Sequence, residues 1–237
     1  MSHLDYYQYQ ATARGIHQLA DVERIARDKA HVYDQLVRPW LPSDPRARVA
    51  ELACGHGSFL CWLRDRGCGN VTGVDSSAEQ IALARQTGAA VVQSDALAWL
   101  TAQPDAGLHA LVAIDFIEHI SKDAVMDLLR ESRRVLAPGG RLILRYPNGD
   151  SPLVGMNLFN DITHVWTYTP NCLNSLAEMH GFTRSEFADE GDAIRDQRWL
   201  KVPLSRISRA VLGALLRAAT KEKVTFWGPH LWAALQR

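Results

Sequence analysis

Short apolar runs alternate with longer helical stretches between residues 49 and 146, and no other feature of the chain constrains its fold as tightly. The runs Val49 to Ala53, Val71 to Val74, Ala90 to Gln93, His109 to Ile114 and Arg141 to Tyr146 read as strands bounded by turn residues. Between them, Gly57 to Arg66, Ala78 to Gln86, Ala96 to Leu100 and Lys122 to Leu136 read as helices, the last ended by Pro138-Gly139-Gly140. Strand and helix alternating at these lengths call for right-handed crossovers. The expected fold class is therefore α/β, a doubly wound, mostly parallel sheet with helices on both faces.

The flanks differ from this core. Gly15 to Val37 carries Ile16, Leu19, Ala20, Ile25 and Val32 at a rough helical spacing, so a leading helix, or two short ones, is expected to end before Arg38-Pro39. After Tyr146 come a loop from Pro147 to Thr169, a helix from Pro170 to His180 capped by Gly181, and a strand near Phe182 to Phe187. The stretch Arg195 to Lys223 reads as an insertion whose helix places Ile207, Val211, Leu212, Leu215 and Leu216 on one face. Its basic residues Arg195, Arg198, Lys201, Arg206, Arg209, Arg217, Lys221 and Lys223 outnumber Asp192, Asp196 and Glu222. The preferred expectation is a lid helix packed on the domain with its basic face in solvent, and the alternative is a peripheral contact with anionic membrane. His230 to Leu235 reads as a last strand. The organisation expected is a single domain over 1–237: a helical cap at 1–45, a cofactor-binding core at 46–190, a helical basic insertion at 191–228 and the last strand at 229–237.

Composition narrows the partners. Apolar residues make up 47% of the chain, enough for a proper core. Lys plus Arg equals Asp plus Glu at 26 each, which argues against a general nucleic-acid binder working by counterion release. Cys54, Cys61, Cys68 and Cys172 have neither a C-x-x-C pair nor zinc-site spacing, and read as free thiols of a reducing compartment. The opening residues lack a basic start followed by an apolar run, and no window is apolar enough to span a bilayer, so a cytoplasmic location is expected.

The segment Glu51-Leu52-Ala53-Cys54-Gly55-His56-Gly57 falls where the first strand turns into a helix, and small residues there let backbone approach a ligand closely. A dinucleotide site wants a third small residue, but reading from Gly55 puts Leu60 at that place, so a pyrophosphate cradle and a nicotinamide enzyme are disfavoured. The second strand ends in Asp75, where a carboxylate can accept from both hydroxyls of a ribose, and the third ends at Asp95, placed to accept from an adenine amine.

Taken in order, ELACGHG, VTGVDSS, QSDA, ALVAIDFIEHI and LAPGGRLILRYPN resemble the successive motifs of class I S-adenosylmethionine-dependent methyltransferases. The resemblance covers roughly Val49 to Tyr146, with a looser match to about Phe182. It implies a seven-stranded sheet with the last strand antiparallel and S-adenosyl-L-methionine as cofactor. By the same resemblance Glu51 and the backbone from Ala53 through Gly55 to Gly57 hold the methionine end, and Asp75 the ribose, with Ser76 in the same set. Asp95 and Ala96 would hold the adenine, while Ile114 and Asp115 line the amine side. Where this family usually has glycine the chain has Ala53, a departure that matters if the position needs a positive φ.

On the acceptor side, a helical Asp115-Phe116-Ile117-Glu118-His119 would put Asp115, Glu118 and His119 on one face. Similar groups bind a divalent ion in some quinone O-methyltransferases. Helix capping with surface charge is the preferred expectation here, and no metal is assigned. The segment Asp161-Ile162-Thr163-His164-Val165, followed by Thr167-Tyr168-Thr169-Pro170, resembles one found in methyltransferases of bacterial glycan clusters. His164 is the candidate general base and His119 its reserve, since imidazoles titrate near neutrality and both are expected at the cofactor rim. The favoured function is O-methylation of a sugar hydroxyl in a glycan or its precursor. The alternatives are a quinone-like or other small aromatic acceptor and, from another class, a catalytically silent cofactor-binding regulatory domain.

Overall fold

The computed structural model describes residues 15–196, 202–221 and 224–237. The sequence-based expectations at residues 1–14, and those for Arg195, Arg198, Lys201, Arg206, Glu222 and Lys223, lie outside the described residues or side chains. Seven strands form one sheet: β1 (Val49–Leu52), β2 (Val71–Asp75), β3 (Ala90–Gln93), β4 (Leu108–Ile114), β5 (Leu136–Pro147), β6 (Arg184–Asp189) and β7 (His230–Gln236). Their order is β3-β2-β1-β4-β5-β7-β6, and β7 runs antiparallel to both of its neighbours. This is the doubly wound architecture expected. The central strands are parallel because each connection carries a helix back across a face.

Three helices cover one face: α1 (Leu19–Val32), α2 (Ser58–Asp65) and α3 (Ala78–Arg85). They pack Val22, Phe59, Leu60 and Ile81 on Val49, Val112, Ile143 and Trp232. The opposite face is covered by α4 (Ala96–Thr101), α5 (Lys122–Val135) and α7 (Pro170–Met179), over Leu52, Val74, Leu111 and Leu142. Between α5 and α7 lies the short α6 (Val154–Leu158). Strand alternation sends Val49 to one core and Ala50 to the other, so a sheet buried on both sides has almost wholly apolar strands. Side-chain caps fix where helices begin: Ser77, Asp95, Ser121 and Thr169 accept from the backbone N–H of Gln80, Ala98, Ala124 and Cys172. Each such cap is worth about 1 kcal/mol.

Three local expectations are corrected. The leading helix does not stop before Arg38 but continues through a π turn at Tyr33–Val37 into a single 3-10 turn at Arg38–Trp40, where Pro39 needs no N–H. Pro138-Gly139-Gly140 does not end α5: β5 starts at Leu136, and the pairing with β4 shifts register between Leu108 and Ala110.

The third correction concerns the insertion. After α8 (Glu190–Asp196) comes α9 (Val202–Thr220), whose expected apolar face is not packed on the domain. Ile207, Val211, Leu212 and Leu215 are 48–61% exposed. The helix instead turns Gly213 toward the Trp227 ring, and Arg209 bonds Asp192. No helix among the described residues is long and apolar enough to cross a membrane.

Candidate active site

The sheet order reverses at β1, which lies between β2 and β4. Leu52 pairs with Val74 on one side and Ala113 on the other, so these strands end level and open a crevice beyond their carboxyl ends. A cleft there is lined by Ala53, Asp75, Ser94, Asp95, Phe116 and Ile120, with Ser76 and Ala96 also on its wall. The structure thus brings together the Ala53, Asp75, Ser76, Asp95 and Ala96 positions that the sequence placed at one ligand.

The loop after β1 is built from left-handed backbone: φ is +52° at Ala53, +52° at Gly55 and +85° at Gly57. A Cβ on Gly55 would meet only Gln80 Oε1, at 3.7 Å, so the bare backbone there faces open space. Asp75 stabilises this turn from the next strand, its Oδ2 accepting from Gly55 N at 2.8 Å and its Oδ1 from Ser77 N at 2.8 Å. Each carboxylate oxygen keeps a second lone pair, enough for a diol. Asp95 caps α4 by accepting from Ala98 N at 2.9 Å, so it is both a structural cap and part of the cleft wall.

Glu51 is buried on β1, and its Oε2 has no hydrogen-bond partner among the described residues. Burial pushes its carboxyl well above the usual range, the charge of Asp75 adds to this, and Lys29 opposes it. A cationic ligand group is the chemistry that would satisfy such a carboxyl.

Beyond β4 the expected helical face does not form. Asp115 takes a left-handed conformation, φ +51°, and its carboxylate is captured by the buried Arg145 of β5, away from Glu118 and His119. Burial works against ionisation of Asp115, but the charge of Arg145, the charges of Lys29 and His230 and the Arg145 hydrogen bond together outweigh it and hold the carboxyl below its ordinary value. The backbone then makes an i→i+3 turn, His119 N to Phe116 O at 3.0 Å, rather than a helix. Glu118 is no surface charge: it is 1% exposed, with Oε2 unpartnered among the described residues. Burial, and then the charge of Asp115, push its carboxyl well above the ordinary range.

The turn meets the loop that carries His164. Val165 N donates to Glu118 O at 2.7 Å, which fastens the two segments, and the rings of His119 and His164 lie 4.7 Å apart. Nδ1 of His164 sits 3.1 Å from Asn157 O and 3.0 Å from Leu158 O. Carbonyl oxygens only accept, so Nδ1 carries the proton and Nε2 is left as the acceptor of the neutral ring. Sequence reasoning reached both histidines and missed what orders them. Thr163 and Asp161 back His119, and Lys122 lies 3.8 Å above the Trp166 ring, holding the loop. Arg145 was also missed, because it stands in a strand that otherwise reads as core.

Residues 49–140 match the family model described as a methyltransferase domain. The cleft fits S-adenosylmethionine: an unpartnered buried carboxyl for an ammonium, bare backbone at Gly55, and carboxylates at Asp75 and Asp95 for ribose and adenine. Trans-aconitate 2-methyltransferase of Azoarcus sp. (strain BH72) is 37% identical over 117 residues, 47% of this chain and 44% of that protein. A probable tRNA methyltransferase 9B of Mus musculus is 32% identical over 101 residues, 42% of this chain and 22% of that protein. The chain thus spans less than half the length of these curated relatives. Among solved structures, a SAM-dependent methyltransferase from Archaeoglobus fulgidus superposes with a TM-score of 0.70 at 19% identity, over 98% of this chain and 99% of that one. Phosphoethanolamine N-methyltransferase 2 of Haemonchus contortus gives 0.57 at 15% identity, over 85% and 50%. These establish the methyltransferase fold for the whole sheet, including β6 and β7 outside the family match.

Proposed function

We propose that the protein transfers a methyl group from S-adenosylmethionine to a hydroxyl, in the first reading a sugar hydroxyl of a bacterial-type glycan or its precursor. The observation that carries the hydroxyl is the orientation of His164, whose Nδ1 is tied to two backbone carbonyls so that Nε2 is the proton acceptor. The cofactor supplies an activated methyl on a sulfonium, so transfer needs little beyond in-line positioning and removal of the acceptor proton. Glu51, Asp75 and Asp95 bind and orient the donor. Phe116 and Ile120 wall the cleft from water, and they flank in sequence the Glu118-His119 turn, from which His119 and its neighbour His164 are proposed to serve the acceptor. The sugar rests on the likeness of the Asp161 to Pro170 segment to that of glycan methyltransferases.

A phenolic or quinone-like acceptor is the second reading. It is favoured by Leu153, Met156, Phe159 and Ile162, which stand exposed along the same loop as His164. Incubation with methyl-labelled S-adenosylmethionine and matched panels of sugars and phenols, read by product mass, tests both. Labelled methyl ether on a sugar is the expected result, and on a phenol it selects the second reading. Tight cofactor binding with no product from either panel would reject both in favour of a silent regulatory domain.

A further inference from the structure

Glu118, His119 and His164 form a group of ligand-type side chains, each offering one atom within 4.8 Å of the others. The hydrogen bonds behind them set the protons. Thr163 Oγ1 donates its only hydrogen to Asp161 Oδ1 at 2.6 Å, so it can only accept from His119 Nδ1, 2.9 Å away. His164 Nδ1 is likewise committed to the carbonyls of Asn157 and Leu158. The neutral His164 ring therefore carries its lone pair on Nε2, and the Thr163 contacts orient the His119 ring beside it. An outward Nδ1–H bonded to a carbonyl or to a hydroxyl backed by a carboxylate is the arrangement that orients metal-binding histidines. The buried Glu118 carboxyl, whose Oε2 has no hydrogen-bond partner among the described residues, supplies the third, anionic donor.

We infer that Glu118, His119 and His164 bind a divalent first-row transition-metal ion at the acceptor end of the donor cleft. Two imidazoles and one carboxylate suit zinc, manganese, iron, cobalt or nickel, whereas magnesium and calcium favour all-oxygen sites. Donors about 2.1 Å from one ion lie roughly 3 to 3.4 Å apart, so the group closes by side-chain rotation of little more than an ångström. Three protein ligands leave positions open for the acceptor.

The use of the site rests on the hydroxyl reading above. The acceptor oxygen coordinates the ion, which lowers the pKa of its O–H, and the proton leaves to solvent water. The oxygen then forms the new bond to the methyl carbon as the carbon–sulfur bond breaks. In the metal-loaded protein the ion thereby replaces His164 Nε2 as the means of generating the nucleophile.

Metal affinity tests the site without reference to turnover. The full chain, stripped with chelator, is titrated with Zn2+ by calorimetry and with Co2+ by visible absorption. The expected result is one ion per chain, with Co2+ bands characteristic of nitrogen and oxygen ligands and no competition from millimolar Mg2+. His119→Gln, His164→Asn and Glu118→Gln, each confirmed folded by circular dichroism, should weaken binding at least 10-fold. Failure of the wild-type protein to bind either ion, or affinity unchanged in both folded histidine variants, overturns the inference. Hydroxyl methylation that survives chelation in a protein that binds no ion removes the metal and leaves the function standing. Stoichiometric ion binding lost in the variants, without methylation of any hydroxyl, keeps the site and removes the function.

Discussion

The backbone N–H of Gly55 donates to Oδ2 of Asp75 at 2.8 Å, so the carboxylate proposed to hold the ribose also ties the loop after β1 to the end of β2. Replacing Asp75 therefore removes a ligand contact and two backbone bonds, to Gly55 and Ser77, at once. Asp75→Ala is expected to weaken S-adenosylmethionine binding by about 1 to 3 kcal/mol and to lower stability by roughly 1 to 2 kcal/mol. Calorimetry on the folded variant separates the two effects. Unchanged affinity would exclude Asp75 from the cofactor site.

Arg145 is buried in β5, and Glu190 takes it in a two-point contact, with Arg145 Nη2 donating to Oε1 at 2.8 Å. Trp232 Nε1 adds a bond to Glu190 Oε2 at 2.9 Å, and Asp115 pairs with the same guanidinium. Burial disfavours charge on Glu190, but the hydrogen bonds and charge of Arg145 prevail and hold its carboxyl below the ordinary range. Removing one partner strands a buried charge, so Glu190→Ala should cost about 3 to 5 kcal/mol in denaturant unfolding. A loss under about 1 kcal/mol would mean that Asp115 alone suffices for Arg145.

His230, at the start of β7, is pushed down to about 4 by burial and then by the charge of Arg145. The unfolded imidazole titrates near 6.5, so between pH 6.5 and about 4 the unfolded chain binds a proton that the folded chain refuses. Stability from this group is therefore full above that window and lost as pH falls through it, by about 2 kcal/mol between pH 7 and pH 5. The raised carboxyls of Glu51 and Glu118 act with the opposite sign, so the measurement is a difference. Once their offset at pH 7 is removed, the urea midpoint of wild type should fall progressively below that of His230→Gln as pH falls from 7 to 5. Parallel curves would contradict the shift.

The parallel core was legible because its signals are local. Apolar runs of four to seven residues ending in Cys54-Gly55, Asp75 and Asp115 announce strands, and Ser77, Asp95 and Ser121 announce the helices that follow. The acceptor side was legible only in part. A helical spacing for Asp115, Glu118 and His119 ignores Arg145, which lies 30 residues on and draws Asp115 out of the set. His164 replaces it from a loop far along the chain through the Val165 to Glu118 bond, a contact between loops that no periodicity encodes. The apolar stripe of α9 misled for a similar reason: amphipathicity says that a face exists, and contacts distant in sequence, such as Gly213 to Trp227 and Arg209 to Asp192, show which face meets the domain.

Ala53 is the position where sequence raised a doubt and the structure answers it. Its φ of +52° is left-handed, so the methyl group sits where an L side chain is strained. Relief of that strain is worth about 1 to 2 kcal/mol, while glycine costs about 0.5 to 1 kcal/mol in added freedom of the unfolded chain. Ala53→Gly should therefore stabilise the protein by about 0.5 to 1 kcal/mol net, which for a chain of this size raises Tm by roughly 1 to 4 °C. Because Ala53 lines the donor cleft, removing its methyl group also opens space beside the cofactor. S-adenosylmethionine affinity should then hold or improve, and thermal unfolding with and without cofactor reads both effects. A lower Tm without ligand would mean that the alanine methyl contributes packing greater than the backbone strain it imposes.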